Sequence, residues 1–290
     1  MKKQINKLKV IRVSLGIIIT TLLTAFFIDI SGVLPHQLHT IAHLQLFPAI
    51  LFAVTGKVIY LVITLLLVFL FGRLYCSIIC PLGVMQDFIS WVAKKKNKKK
   101  KYKYTKPFNI VRYILLILTI VLVIIGAGGL AGIIEPYSIY GRIATHIFKP
   151  ILIYINNLLA LFFEWTGDYY FLHMDLTIIS LSFVIATISL IIVGIFAFIW
   201  GRKFCNIICP VGALLSLLAR FSLYKIRINK DKCNNCGLCA MGCKSQCINI
   251  TKNEISIKED KIDIGNCVVC FNCVSKCNKG AISFKLRKNA

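Results

Sequence analysis

Eight cysteines near the C-terminus form two identical runs, Cys233-x2-Cys236-x2-Cys239-x3-Cys243 and Cys267-x2-Cys270-x2-Cys273-x3-Cys277. A thiolate at every third position lets a short loop wrap one polynuclear centre. This is the spacing with which bacterial chains ligate iron–sulfur cubanes, the fourth cysteine of each run crossing to the other cluster. By that rule Cys233, Cys236, Cys239 and Cys277 hold one 4Fe-4S cluster, and Cys243, Cys267, Cys270 and Cys273 hold a second. Zinc also takes C-x2-C pairs, but eight cysteines in two matched runs exceed what a zinc site needs. The proline usual after the fourth cysteine is replaced by Lys244 and Asn278, which changes the turn and leaves ligation alone. Cys247 has no ligand slot and reads as a buried or surface thiol. Lys232, Lys244 and Lys276 offset cluster charge or serve docking and topology.

Four further cysteines make two pairs inside a repeated motif, G-R-x-aromatic-C-x3-C-P-x-G. Gly72 to Gly83 aligns with Gly201 to Gly212 at a constant offset of 129, which pairs Cys76 and Cys80 with Cys205 and Cys209. Cysteines at i and i+4 share one face of a helical turn, so both thiols reach one centre. An adjacent arginine and a helix end favour thiolate over thiol. The proline ends or bends the segment, and Gly83 and Gly212 permit a tight turn. The four thiols make a candidate redox or metal centre, and the spacing leaves a cluster, a single metal and an exchanging dithiol all open.

The elements that carry these motifs are apolar. Hydrophobic residues are 58% of the 290, mean hydropathy is +0.77, and 35 Lys and Arg face 11 acidic residues. A chain both apolar and strongly basic is most simply a multi-pass membrane protein. Four runs approach the ~20 residues that cross a hydrocarbon core, near Val13–Ile30, Lys57–Gly72, Asn109–Ile134 and Leu176–Trp200. The expected fold is therefore membrane all-α, four transmembrane helices in two tandem helix-pair repeats over residues 1–225. A small α+β two-cluster ferredoxin-like domain follows over 226–290, with strands expected around Ile255-Ser256-Ile257 and Ser283-Phe284.

With the N-terminus inside, 32 of the 35 basic residues fall on the cytoplasmic side, as the positive-inside rule requires. Both termini and the ferredoxin domain are then cytoplasmic, in the inner membrane, and the first span reads as a retained signal anchor. The lysine-rich loop 94–106 orients the chain and touches anionic lipid; no nucleic acid is expected. Nothing matches a phosphate loop, a dinucleotide fingerprint or a hydrolase elbow.

Together these features resemble the NapH/MauN-type membrane ferredoxins, and the module is similar to the C-terminal half of NosR-type regulators. The resemblance covers nearly the whole chain. It implies an inner-membrane electron-transfer protein that exchanges electrons with quinol or a redox partner protein, or alternatively an assembly factor supplying reducing equivalents to a metalloenzyme. A quinone contact would use outer-loop groups able to accept a proton. His36, His39, His43, Gln45 and His146, with Tyr137, Tyr140 and Trp165, populate that zone. His43 and His146 are the candidates, because a His-to-Pro element occurs at both.

Overall fold

The computed structural model describes residues 2–29, 37–98, 100–105, 108–166, 173–175, 180–229, 231–249 and 262–286. Its first half runs α1 (Lys2–Ile28), α2 (Gln37–His43), α3 (Leu46–Val54), α4 (Ile59–Phe71), α5 (Tyr75–Ile78) and α6 (Pro81–Lys96). Then come α7 (Asn109–Ile124), α8 (Gly128–Ala131), α9 (Pro136–Ile143), a π turn (Ala144–Phe148) and α10 (Lys149–Thr166). The helices α11 (Ser180–Trp200), α12 (Lys203–Ile207) and α13 (Pro210–Ala219) complete the apolar part. The C-terminal head holds β1 (Tyr224–Ile228), α14 (Leu238–Met241), a 3-10 turn (Ile264–Asn266), α15 (Asn272–Lys276) and β2 (Ile282–Leu286).

Among the described residues three helical stretches are long and apolar enough to cross a membrane, Lys7–Ile28, Pro136–Trp165 and Leu181–Trp200. They turn large apolar side chains outward, among them Ile17, Leu158 and Ile191, as lipid contact requires. Two of the expected spans are shorter. Helix α4 has 13 residues and α7 has 16, which at ~1.5 Å per residue fall short of a ~30 Å core. The run expected to continue to Ile134 stops at Ile124, because Gly126 turns the chain with φ of 85°.

Pro136–Trp165 falls where an outer loop was expected. Its polar residues hide the pattern, but Arg142 donates to the carbonyls of Gly132 and Ile133, at 2.9 and 3.1 Å, and Lys149 Nζ to that of Asp29. Pro150 offers no N–H to the carbonyl of His146, and the wider π turn absorbs the break.

Tyr75, Phe204, Ile139, Ile143, Val193 and Leu215 pack in one core with all four motif cysteines. Val268 and Cys270 of the head belong to that same core. A second core fills the head around Ile226, Ile248, Val269 and Phe271. There β1 and β2 pair antiparallel, with Ile226 opposite Phe284. Tyr224 stacks on Phe284 on one side and on Phe71 at the end of α4 on the other, each at 5.6 Å, so the sheet is pinned to the bundle. The expected strand at Ile255-Ser256-Ile257 lies outside the described residues.

Candidate functional site

Each C-x3-C loop is built by the same local steps. Gly72 and Gly201 end α4 and α11 in the left-handed region, φ 69° and 76°, which a side chain would resist. A single helical turn follows and contains the first cysteine. The second cysteine, Cys80 or Cys209, stands at the N-cap of the next helix, with Pro81 or Pro210 in its first turn. The proline thus starts a helix rather than ending one, since its missing N–H costs nothing there. Cys209 Sγ accepts a hydrogen bond from the Gly212 amide at 3.2 Å, and helix N-termini favour a charged sulfur. Gly83 and Gly212 are not turn glycines. A Cβ on either would lie 2.2 Å from the carbonyl oxygen of Cys76 or Cys205, so helix and loop can meet this closely only without one.

The two arginines of the motif brace the opposite copy. Arg73 donates to the carbonyl of Cys205 at 3.1 Å and to Asn206 Oδ1 at 2.7 Å. Arg202 donates to the carbonyl of Cys76 and, through Nε, to Asp87 Oδ1 at 2.9 Å. Both guanidinium groups are fully buried, and five fixed donors suit such bridging better than a lysine would. Cys76, Cys80, Cys205 and Cys209 are all buried, and Cys205 Sγ lies 3.3 Å from Gln86 Oε1.

In the head, the cysteines gather in two sets. Cys233, Cys236, Cys239 and Cys277 line a cavity of about 180 Å³. Cys243, Cys267, Cys270 and Cys273 line a smaller one, together with Cys247. Among the described residues no three His, Cys, Asp or Glu converge closely enough for a single metal ion. A polynuclear cluster, with a ligand at each corner, needs open space between its thiols. The outer set of four provides it, whereas the inner set closes on a cavity of about 10 Å³ and fits by ligand type and number. Cys236 is exposed, whereas Cys243, Cys270 and Cys273 are buried.

Cys247 Sγ is 3.5 Å from Cys243 Sγ. That contact draws the Cys243 thiol down and holds the Cys247 thiol up. The two runs are offset by 34, so Cys247 occupies the place that Ala281 has in the second run. The Ala281 amide donates to Cys277 Sγ at 3.3 Å.

The head is held on the bundle through the loop after Cys243. Lys244 Nζ lies 3.5 Å from Asp87 Oδ1, and the Arg202 amide donates to the Lys244 carbonyl at 3.0 Å. Asn206 Nδ2 donates to the Ser245 carbonyl, Gln246 Nε2 to that of Trp200, and Arg112 to Asn266 Oδ1, at 2.9, 2.9 and 2.8 Å. Asp87 is the hub, because Arg12 also reaches its Oδ2 at 2.9 Å. Burial alone would raise its carboxyl, but Arg202, Lys244 and Arg12 outweigh burial and hold it far below the usual carboxylate range.

The outer histidines are not gathered in this way. His43 packs its ring on Phe52 and Tyr60, where α4 begins and away from Cys76 beyond its other end. His146 is half-buried in the π turn. His36 and the His39 side chain lie outside the described residues. Gln45, expected in the outer zone, is fully buried against the first cysteine loop instead. Its Nε2 donates to the Ile79 carbonyl at 2.9 Å, and its Oε1 accepts from the Tyr75 hydroxyl at 3.0 Å. Helix α4 is short enough for α3 to start beside its far end. Sequence reading missed Asp87 and Arg12 and saw Tyr75 only as the aromatic of the motif; a lone acid ahead of a lysine run was the one sign of Asp87.

A family described as a 4Fe-4S binding domain matches residues 48–100 and again 181–229, so both matches fall on the C-x3-C-P copies. An uncharacterised protein of Methanocaldococcus jannaschii is 30% identical over 80% of this chain and 72% of its own. The ferredoxin-type protein MauN of Methylobacillus flagellatus is 26% identical over 88% of this chain and 77% of its own. The ferredoxin-type protein NapH of Escherichia coli is 26% identical over 81% and 68%. The chain belongs to the NapH/MauN-type polyferredoxins. No solved structure matches this polyferredoxin, so the bracing of its cysteine loops rests on the geometry above.

Proposed function

We propose that this polyferredoxin is a membrane-anchored iron–sulfur electron-transfer protein, working between cytoplasmic 4Fe-4S clusters and the membrane quinone pool or a redox partner protein. The observation that carries the reading is the shared core. Cys270 of the buried head set packs in the same cluster of side chains as Cys76, Cys80, Cys205 and Cys209. The cysteines thus form a line from the exposed Cys236, through the buried head set, to the membrane motif.

When bound, the clusters supply one-electron chemistry. The chain's part is to hold and insulate them. Cys233, Cys236, Cys239 and Cys277 hold the outer cluster, and Cys243, Cys267, Cys270 and Cys273 the inner one. The four motif cysteines hold a further centre, which the double family match on their loops supports. Lys9 Nζ donates to Ser275 Oγ at 3.4 Å, so the start of α1 and the head share a side, and the basic balance assigns that side to the cytoplasm.

The test is anaerobic purification of the full chain with iron analysis and EPR. Expected are two head signals that respond separately to Cys236→Ser and Cys270→Ser, and a further signal lost in both Cys76→Ser and Cys205→Ser. Iron content and spectra unchanged by all four substitutions would sink the assignment.

A further inference from the structure

A cavity of about 580 Å³ lies between α1, α6 and the head, within the range of small-molecule sites. Its walls divide by chemistry. Toward the bilayer stand Val13, Ile17, Phe88 and Trp91, all with large exposed faces. Phe88 and Trp91 stack on one another at 6.1 Å, and Lys95 sits over the Trp91 ring. Aromatics with lysines beside them mark the membrane–water boundary, so the cavity straddles it. Toward the head stand Lys9, Lys94 and Lys276. Asp87, the one carboxylate among the described lining residues, is taken up by Arg12, Arg202 and Lys244. Arg12 is itself 6% exposed, and its Nε has no hydrogen-bond partner in the structure. The polar half is therefore rich in donors and poor in acceptors.

Position narrows the occupant. Ser77, next to Cys76, lines one wall, and Asn272, next to Cys273, lines another. A molecule in the cavity touches the surroundings of the membrane motif and of the inner head set together. We propose that this cavity, on the cytoplasmic side, binds the head of an isoprenoid quinone, its carbonyl oxygens toward Lys9 and Arg12 and its tail along Ile17 and Phe88. The proposal rests on the electron-transfer reading above and moves the quinone contact away from His43 and His146. An apolar tail leaves sideways between exposed α1 and α6 side chains into lipid, and an acceptor-bearing head meets the donors that Asp87 does not occupy. An anionic phospholipid shares the amphipathic shape but gives no reason for a place between two sets of redox cysteines.

The experiment is photolabelling of the full-length protein in nanodiscs with an azido-quinone, followed by peptide mapping. Labelling is expected within residues 9–17 and 84–94, protected by excess unlabelled quinone. It should fall at least tenfold in Ile17→Trp, which fills the cavity from its lipid side, and in Lys9→Gln, with iron content unchanged in both. Protected label on peptides carrying His43 or His146 would overturn the site and leave the quinone reading standing. Label displaced by anionic phospholipid and not by quinone would reassign the cavity to a lipid headgroup and overturn the proposal. Absence of any protected label would remove the site and the quinone partner together.

Discussion

Replacing Asp87 by asparagine separates charge from shape at the joint between bundle and head. The carboxylate receives Arg12 at 2.9 Å, Arg202 at 2.9 Å and Lys244 at 3.5 Å, with the Asp87 side chain 13% exposed. Asparagine keeps one acceptor oxygen and leaves three cations without a counter-charge. Removing one member of a buried ion pair costs about 3–5 kcal/mol, and three donors on one acceptor place this site within that range rather than at the ~0–1 kcal/mol of a surface pair. Lys244 comes from the head, so much of the loss falls on docking. The amide of Arg202, bonded to the Lys244 carbonyl at 3.0 Å, reports it by hydrogen exchange. At ~1.4 kcal/mol per tenfold, a loss of about 3 kcal/mol speeds exchange there roughly a hundredfold if opening is local. Protection within threefold of the parent would refute the reasoning. The pH sign follows from the depressed carboxyl. Its stabilisation is fully present above the unfolded value of ~3.9 and is lost as pH falls toward the folded one. Docking should accordingly be flat between about pH 5 and 8 and weaken only in strong acid.

Gly83→Ala and Gly212→Ala should each disrupt the loop of their own copy, because the new Cβ meets backbone at 2.2 Å; loss of the signal assigned to Cys76 and Cys205, with the head signals retained, checks this by EPR. Cys247→Ala, which places in the first run the residue the second has at 281, removes a thiol 3.5 Å from Cys243 Sγ. Hydrogen bonds to ligand sulfurs raise cluster potentials, so the inner head cluster should titrate at lower potential and the outer one should not move. Tyr75→Phe leaves the buried Leu46 amide, bonded at 2.9 Å, without its acceptor, and should lower stability by about 1–3 kcal/mol, read as a drop in Tm in detergent.

The two sets of head cysteines were legible because polynuclear ligation is written in local spacing; one cavity is lined by Cys233, Cys236, Cys239 and Cys277, the other by the remaining four together with Cys247. The bracing was not. Arg73 and Asn206 are 133 residues apart, and a motif arginine reads more naturally as a neighbour of its own cysteines than of the other copy's backbone. Gly83 and Gly212 were visible as glycines, but close approach of two segments, unlike a positive φ, depends on where the second segment lies. Pro136–Trp165 was taken for a loop because hydropathy counts Arg142 and Lys149 as breaks, whereas in the folded chain both donate to backbone carbonyls. Gln45 was placed in the outer zone because the run Lys57–Gly72 was read as crossing the membrane, with the residues before it in the outer interface.

The exchange of arginines between the two copies also sets a timetable for biogenesis. Arg73 leaves the ribosome long before the carbonyl of Cys205, 132 residues later, is there to accept its hydrogen bond. Until then a guanidinium destined for complete burial must stay at the headgroup level, and the first cysteine loop cannot close around it. A chain ending before Cys205 lacks the acceptors that brace Arg73, so its Cys76 and Cys80 thiols should be open to alkylation that the full chain resists.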